Sequence, residues 1–166
     1  MVYPAKDLIF YQADIHGNEL VKERIKVLRR IMEGRPLTVV TTFDGLMFPQ
    51  VSLDVLKRYV VSVGYQSGIN ERELAKKLVR MGYEKNYQVE APGQFSIRGG
   101  IVDIFDLTEE NPYRIELWGE EVESIRSFDI LSQRSIEKLQ SISIYPATEM
   151  ALSEEELQKG LERIGE

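Results

Sequence analysis

The chain has 166 residues, 43% of them hydrophobic and 29% charged, as in an ordinary globular protein. It has no cysteine and one histidine, which excludes disulfides, thiolate metal sites and multi-histidine metal sites. The net charge of −6 argues against a free-standing nucleic-acid-binding protein, which would normally carry a basic surface. No apolar run approaches the roughly 18 residues of a membrane span, and no signal-peptide pattern is seen, so we expect a cytoplasmic protein without a membrane partner.

The first fifty residues predict a strand–helix–strand unit. Apolar residues predict a buried strand at 8–11, an apolar stripe predicts a helix at 18–33, and β-branched residues predict a second strand at 37–42. This order favours a βαβ unit with parallel strands. Two strands and one helix cannot enclose a core, so residues 1–50 are expected to be an incomplete part of a larger domain. The polar residues of the helix are expected in solvent: Lys22, Glu23, Arg24, Lys26, Arg29 and Arg30.

A second region, with an antiparallel character, begins near residue 51. A short helical turn is predicted just before it, at 43–48. The region itself is predicted to begin with a helix at 53–57, a strand at 59–63 and a helix at 71–80 that Asn70 caps. Between residues 87 and 145 the chain is predicted to be mostly β, because glycines and prolines separate short apolar runs. Residues 135–139 are predicted to form a brief turn before a strand at 141–145, and a helix is predicted at 153–164. The pattern predicts a mixed α/β fold of the α+β class.

The most informative segment surrounds Gly99 and Gly100. Phe95 and Ile97 alternate with polar residues, as in a half-buried strand. The two glycines predict a two-residue hairpin turn, because glycine accepts the positive φ that such turns need. A bulge within one long strand is the competing interpretation. The hairpin would place Phe95 opposite Ile104 and Ile97 opposite Val102 on one face, and Arg98, Ile101, Asp103 and Phe105 on the other.

Three arginines, Arg98, Arg114 and Arg126, each lie inside a predicted strand. One interpretation pairs each with a cross-strand carboxylate, such as Asp103 or Glu116. The other is a basic and aromatic patch for a protein partner, because arginine and aromatic residues are enriched at interaction hot spots. Residue chemistry alone leaves both interpretations open.

The patterns of several enzyme classes are missing from the sequence. There is no Gly-x-x-x-x-Gly-Lys-Ser/Thr phosphate loop, so no nucleotide site is expected. Carboxylates are numerous, but no set of base, nucleophile and orienting residue can be assembled from them. His16 is expected to be a surface loop residue. We therefore expect no catalytic residues, no metal and no cofactor in this chain.

The segments PGQFSIRGGIVDIF, ENPYRIELWGEEVESIRSFD and SQRSIEKLQSISIYPA resemble the UvrB-homology region of the bacterial transcription-repair coupling factors, the DNA translocases also called Mfd. A weaker similarity extends to the N-terminus, so the resemblance covers roughly residues 3–150. The Arg-Gly-x-x-x-Asp-Ile-Phe core also resembles UvrB itself, but SFDILSQRSIE favours the coupling factors.

The resemblance implies a division of the chain. Residues 1–50 would be the C-terminal part of a degenerate RecA-like domain, residues 51–147 a UvrB-domain-2-like module, and residues 148–166 a linker and the start of a helix. In the family this module docks the damage-recognition ATPase UvrA through arginines and a phenylalanine on its sheet. UvrB's aromatic damage-probing hairpin has no counterpart here.

Carried over by motif, the residues implied to bind UvrA are Arg98, Phe105 and Arg126. Lys85 lies near a position that is basic in relatives. The chain departs from the family at Asp106, where relatives often have proline after the phenylalanine.

The resemblance implies a non-enzymatic interaction module that recruits UvrA to stalled RNA polymerase in nucleotide excision repair. The longer parent protein would be an ATP-dependent DNA translocase, with ATP and Mg in a motor domain elsewhere. It would contact RNA polymerase and DNA through other regions, and its C-terminal domain would cover the UvrA-docking surface. The alternative function is a nucleic-acid-binding module that uses the arginine-rich sheet face. The acidic composition argues against it, and a steep salt dependence of DNA binding would support it.

Overall fold

The computed structural model describes residues 1–5, 16–47 and 52–149, and for residues 16–18 the backbone alone. The helices are α1 (His16–Met32), α2 (Phe43–Met47), α3 (Leu53–Tyr59) and α4 (Glu71–Arg80). The strands are β1 (Val2–Tyr3), β2 (Val40–Thr41), β3 (Val61–Gly64), β4 (Glu84–Lys85), β5 (Gln94–Arg98), β6 (Ile101–Ile104), β7 (Tyr113–Trp118), β8 (Glu121–Phe128), β9 (Ser135–Leu139) and β10 (Ser141–Ile144). None of these helices is long and apolar enough to cross a membrane. The predicted mixed α/β fold class is confirmed.

A six-stranded sheet with the order β4-β5-β6-β7-β8-β9 forms the largest part of the structure. Every neighbouring pair is antiparallel except β4 and β5. The predicted hairpin is confirmed, because Phe95 lies opposite Ile104 and Ile97 opposite Val102. Gly99 and Gly100 form its turn with φ values of +55° and +83°, a conformation that favours glycine at both positions.

One side of this sheet packs against α4 and the antiparallel pair of β3 and β10. Helix α4 begins at the predicted cap, where Asn70 Oδ1 accepts hydrogen bonds from the backbone N–H groups of Arg72 and Glu73 at 3.1 and 3.2 Å. Its buried leucines contact the inward-facing residues of the sheet. The core comprises Leu74, Leu78, Met81 and Tyr83 with Phe95, Val102, Ile104, Ile115, Val122 and Ile125 and, from the two-stranded pair, Val61, Val63, Ile142 and Ile144.

The N-terminal part has the predicted parallel arrangement with different strands. β1 and β2 pair in parallel on either side of α1 in the chain, as in a βαβ unit. The predicted strand at 8–11 lies outside the described residues, and residues 37–42 contribute only two residues to a strand. The expectation of a strand over the whole of 37–42 was wrong, because only Val40 and Thr41 form β2, which among the described strands pairs only with β1.

Helix α1 is joined to the rest of the chain by two arginines that the helical pattern placed in solvent. That expectation was wrong for Arg24, which is fully buried, donates hydrogen bonds of 2.5 and 3.0 Å to Glu149, and contacts the Tyr3 ring. Arg29 donates hydrogen bonds to Glu33 and to Glu109, which follows β6. The prediction that the polar side of α1 faces solvent fails at these positions, because other segments of the chain cover that side of the helix.

The expectation of a turn at residues 135–139 was wrong, because they form β9, which pairs with β8. β9 is an edge strand and almost wholly exposed, so its sequence lacks the apolar alternation that identifies a half-buried strand. The predicted helix at 153–164 and the side chain of His16 lie outside the described residues.

Candidate functional site

The side of the six-stranded sheet that faces away from α4 is called the open face below. Strand alternation and register assign its residues, because cross-strand partners point to the same side. Two adjacent rows cross the sheet. One contains Ser96, Asp103, Arg114, Arg126 and Lys138, and the other contains Arg98, Ile101, Glu116 and Ser124.

Asp103 is the most buried carboxylate of the open face, with 1% of its surface exposed. Arg114 binds it through two hydrogen bonds, from Nε to Oδ1 at 2.6 Å and from Nη2 to Oδ2 at 2.8 Å. These bonds raise the pKa of Arg114 above its ordinary value, against the opposing effect of burial. Arg98 makes only a longer contact with the same carboxylate, 3.4 Å from Nη2 to Oδ2. Arg114 is therefore the main partner of Asp103, and Arg98 is the more loosely held of the two arginines.

A second ion pair lies beside the first. Arg126 Nη2 donates a hydrogen bond to Glu116 Oε1, and Ser124 Oγ donates to Glu116 Oε2 at 2.6 Å. The side chains of Arg126 and Glu116 are both about one-third exposed. The pair is accessible to solvent, so a docking partner can compete for either group.

Aromatic side chains border the charged rows. Arg98 lies 5.3 Å from the centre of the exposed Tyr87 ring, and Arg114 lies 4.2 Å from the centre of the buried Phe128 ring. Trp118 shares the alternation of Arg114 and Glu116 along β7, and 80% of its surface is exposed. The open face thus offers both cations and a large accessible indole.

The charge of the open face is opposite in sign to that of the chain. Four cations, Arg98, Arg114, Arg126 and Lys138, stand with three carboxylates, Asp103, Glu116 and Glu121, the last of which lies opposite Trp118. The face is therefore net positive on a chain whose net charge is −6. A surface of this kind complements an acidic partner.

The comparison with protein families adds to this geometry. A family model described as the UvrB interaction domain matches residues 61–150, which include the whole six-stranded sheet. The chain belongs to this family. The matched UvrB interaction domain contains every residue of the open face and the predicted docking positions.

Curated relatives agree with this membership. The chain is 42% identical to the transcription-repair-coupling factor of Bacillus subtilis (strain 168) over 99% of its own length, and covers 14% of that protein. It is 33% identical over 92% of its length to the factor of the same name from Staphylococcus aureus (strain bovine RF122 / ET3-1). The expected resemblance to the coupling factors is confirmed. The chain spans about one-seventh of the length of these relatives.

The structure brings together two of the four residues that the sequence suggested for UvrA binding. Arg98 and Arg126 lie in adjacent rows of the open face. Lys85 does not join them, because it pairs in register with the core residue Phe95 and so lies on the other side of the sheet, at the edge. Phe105 directly follows β6 and is 5% exposed, so a partner on the open face would reach little of its ring. All four assignments stay predictions.

Trp118 is the accessible residue that sequence reasoning missed. The signal was present, because Arg114, Glu116 and Trp118 occupy alternate positions of one predicted strand. A register shift between Glu116 and Leu117 changes the pairing of β7 with β8 just before Trp118, and no local sequence pattern reveals it. Among the residues that the structure describes, no three His, Asp or Glu side chains converge on a possible metal position.

Asp106 follows Phe105 and is fully buried. Burial raises the pKa of its carboxyl, although hydrogen bonds from the Tyr145 backbone N–H at 2.8 Å and from Thr108 oppose that effect. The carboxyl joins the end of β6 to the residue after β10. A side-chain acceptor thus links these two segments of the chain.

Proposed function

We propose that the open face is the docking surface for UvrA. The observation that carries the proposal is the net-positive row of arginines inside a UvrB interaction domain, next to an exposed tryptophan. Arginine and tryptophan are the residue types most enriched at binding hot spots. UvrA would present acidic and apolar groups to this surface.

Arg98 and Arg126 have different roles in this proposal. Arg98 contacts Asp103 at 3.4 Å, while Arg114 satisfies that carboxylate, so Arg98 can turn to a partner without leaving a buried charge unpaired. Arg126 would exchange Glu116 for a carboxylate of the partner. Trp118 supplies the apolar contact area that a set of charged pairs lacks.

Phe105 and Lys85 have indirect places in the proposal. Phe105 is buried at the end of β6, where it supports the strand that carries Asp103. Lys85 lies exposed at the sheet edge, where its charge would steer an acidic partner more than bind it.

A second part of the proposal concerns the longer protein to which this chain would belong. We propose that the parent is a transcription-repair coupling factor that recruits UvrA to stalled RNA polymerase in the bacterial cytoplasm. In that protein an ATP- and Mg-dependent translocase motor would lie outside the chain, together with the regions that contact RNA polymerase and DNA and a C-terminal domain over the docking face. The chain itself would contribute binding and no catalysis.

The test is a titration of purified UvrA against the chain by calorimetry. Removal of a desolvated arginine anchor costs on the order of 2–4 kcal/mol, or about thirtyfold or more in affinity, so Arg98→Ala should weaken binding by that amount. Trp118→Ala should weaken it comparably. Arg30→Ala, at an exposed position of α1 outside the matched UvrB interaction domain, is the matched control and should bind normally.

Two results would contradict the proposal. One is a wild-type chain that does not bind UvrA. The other is a wild-type chain that binds DNA more tightly than UvrA, with a steep salt dependence and loss of DNA binding in Arg98→Ala, which would favour the nucleic-acid alternative.

A further inference from the structure

A second concave surface lies on the opposite side of the sheet, between α4 and β3. We call it the α4–β3 groove. Buried or half-buried apolar side chains, Val61, Val63, Ile69 and Leu74, line it together with exposed polar ones. The groove lies on the core side of the six-stranded sheet, so a ligand there does not compete with a partner on the open face.

The polar lining of the groove is strongly basic. Four cations, Arg58, Lys76, Lys77 and Arg80, line it with a single carboxylate, Glu73, which pairs with Lys76 at 3.1 Å. Glu73, Lys77 and Arg80 are spaced four and three residues apart, so they lie on the same side of α4 and face the groove together. This is a local excess of positive charge on an acidic chain, and it favours a negatively charged ligand.

Strand β3 offers a backbone edge to the same groove. The Tyr65 N–H donates to the Gln140 carbonyl at 2.9 Å, which makes Tyr65 and Gln140 a hydrogen-bonded pair. By antiparallel alternation, Val63 and Val61 also point their backbone groups toward β10, and Ser62 and Gly64 point theirs away. Ser67 satisfies Gly64, since Ser67 Oγ accepts from the Gly64 N–H and donates to its carbonyl. Ser62 lines the groove, its backbone groups point away from β10, and among the described strands β3 pairs only with β10.

We propose that the α4–β3 groove binds an extended acidic peptide segment of a partner protein, which adds to the edge of β3. The peptide backbone would exchange hydrogen bonds with Ser62, as in other strand-addition complexes. Its carboxylates would contact Arg58 and the α4 cations Lys77 and Arg80, and its apolar side chains would contact Val61 and Leu74. A peptide fits better than a nucleic acid, because an unpaired strand edge and an aliphatic floor recognise a polypeptide backbone rather than stacked bases.

The probe is a labelled ten-residue peptide of alternating glutamate and valine, titrated against the full chain by fluorescence anisotropy. We expect salt-sensitive binding that falls about tenfold in Lys77→Glu, a loss of about 1.4 kcal/mol. Arg72→Glu, on the same helix outside the groove, is the matched control and should bind as the wild type does. Hydrogen exchange at the Ser62 amide should slow when the peptide is bound.

Backbone recognition is tested separately from charge. Ser62→Pro removes an outward N–H without removing a bond to β10, so it should weaken the peptide while the unfolding midpoint stays close to wild type. A peptide N-methylated at alternate amides should also bind more weakly. Equal binding of the methylated peptide, or tighter binding of a single-stranded oligonucleotide that Lys77→Glu also abolishes, would overturn the proposal, as would no binding of the unmodified peptide.

Discussion

Replacing Arg114 with alanine should destabilise the chain far more than the same change at Arg98, although both arginines contact Asp103. Arg114 makes both short bonds to this carboxylate, and its own side chain is only 14% exposed. Arg98 makes one contact at 3.4 Å and its side chain is 37% exposed. Arg114→Ala would leave a nearly buried carboxylate with its weaker partner only.

The expected magnitudes follow from burial. Breaking a buried ion pair by removing one partner costs about 3–5 kcal/mol. Arg98 remains near the carboxylate, so we expect the lower end, about 3 kcal/mol, including the lost contact with the Phe128 ring. Arg98→Ala removes a longer, partly exposed contact and should cost at most about 1 kcal/mol. For a chain of this size these values correspond to a midpoint lowered by about 6–12 °C for Arg114→Ala and by about 2–4 °C or less for Arg98→Ala.

Thermal and urea unfolding, followed by circular dichroism, would measure both variants. Asp103→Asn and the double variant with Arg114→Ala complete a double-mutant cycle, which should show a coupling of about 1–3 kcal/mol. An Arg114→Ala loss below about 1 kcal/mol, or equal losses for the two arginines, would refute the assignment of Arg114 as the structural partner and Arg98 as the available one.

Two further predictions concern the hairpin turn and the joint with α1. Gly100→Ala should lower the free energy of unfolding in urea by about 1–2 kcal/mol, because φ is +83° and an added Cβ would lie 3.1 Å from the Leu117 carbonyl oxygen. Gly99→Asn is the control, because no atom lies within 4 Å of a Cβ added there. Equal losses in both variants would contradict this reasoning. For Glu33, burial alone would raise the pKa, but the hydrogen bond and charge of Arg29 outweigh it and hold the pKa below 4.5. The folded pKa is lowered, so this group stabilises the fold above about pH 4.5 and the contribution is lost as the pH falls below it. Glu33→Gln should make the free energy of unfolding depend less on pH below that value. An unchanged pH dependence would show that the contact between Glu33 and Arg29 does not contribute.

The sequence predicted the hairpin closely because its signals are local. Two glycines and the alternation of Phe95 and Ile97 determine both the turn and which side chains face the core. The same holds for α4, where Asn70 caps a stripe of buried leucines. Elements whose turns, caps and buried residues are determined by a few neighbouring residues can therefore be predicted from the sequence.

The remaining features depend on contacts between distant segments. The position of Arg126 on the open face follows from the register across β7 and β8, which contains a shift that no local pattern reveals. Arg24 looked like a solvent-exposed residue because its carboxylate partner is 125 residues away in the chain. Phe105 and Lys85 matched motifs, but a motif does not determine how much of a side chain a partner can reach.

The buried pair of Arg24 and Glu149 has a mechanical consequence. Glu149 follows β10 and Arg24 lies in α1, so the two-stranded sheet of β3 and β10 cannot move away from α1 without exposing an ion pair whose rupture costs several kcal/mol. A force applied to β10 would therefore be transmitted to α1 through this ion pair. Cutting the chain after residue 147 would remove the carboxylate and loosen that connection while leaving the six-stranded sheet complete.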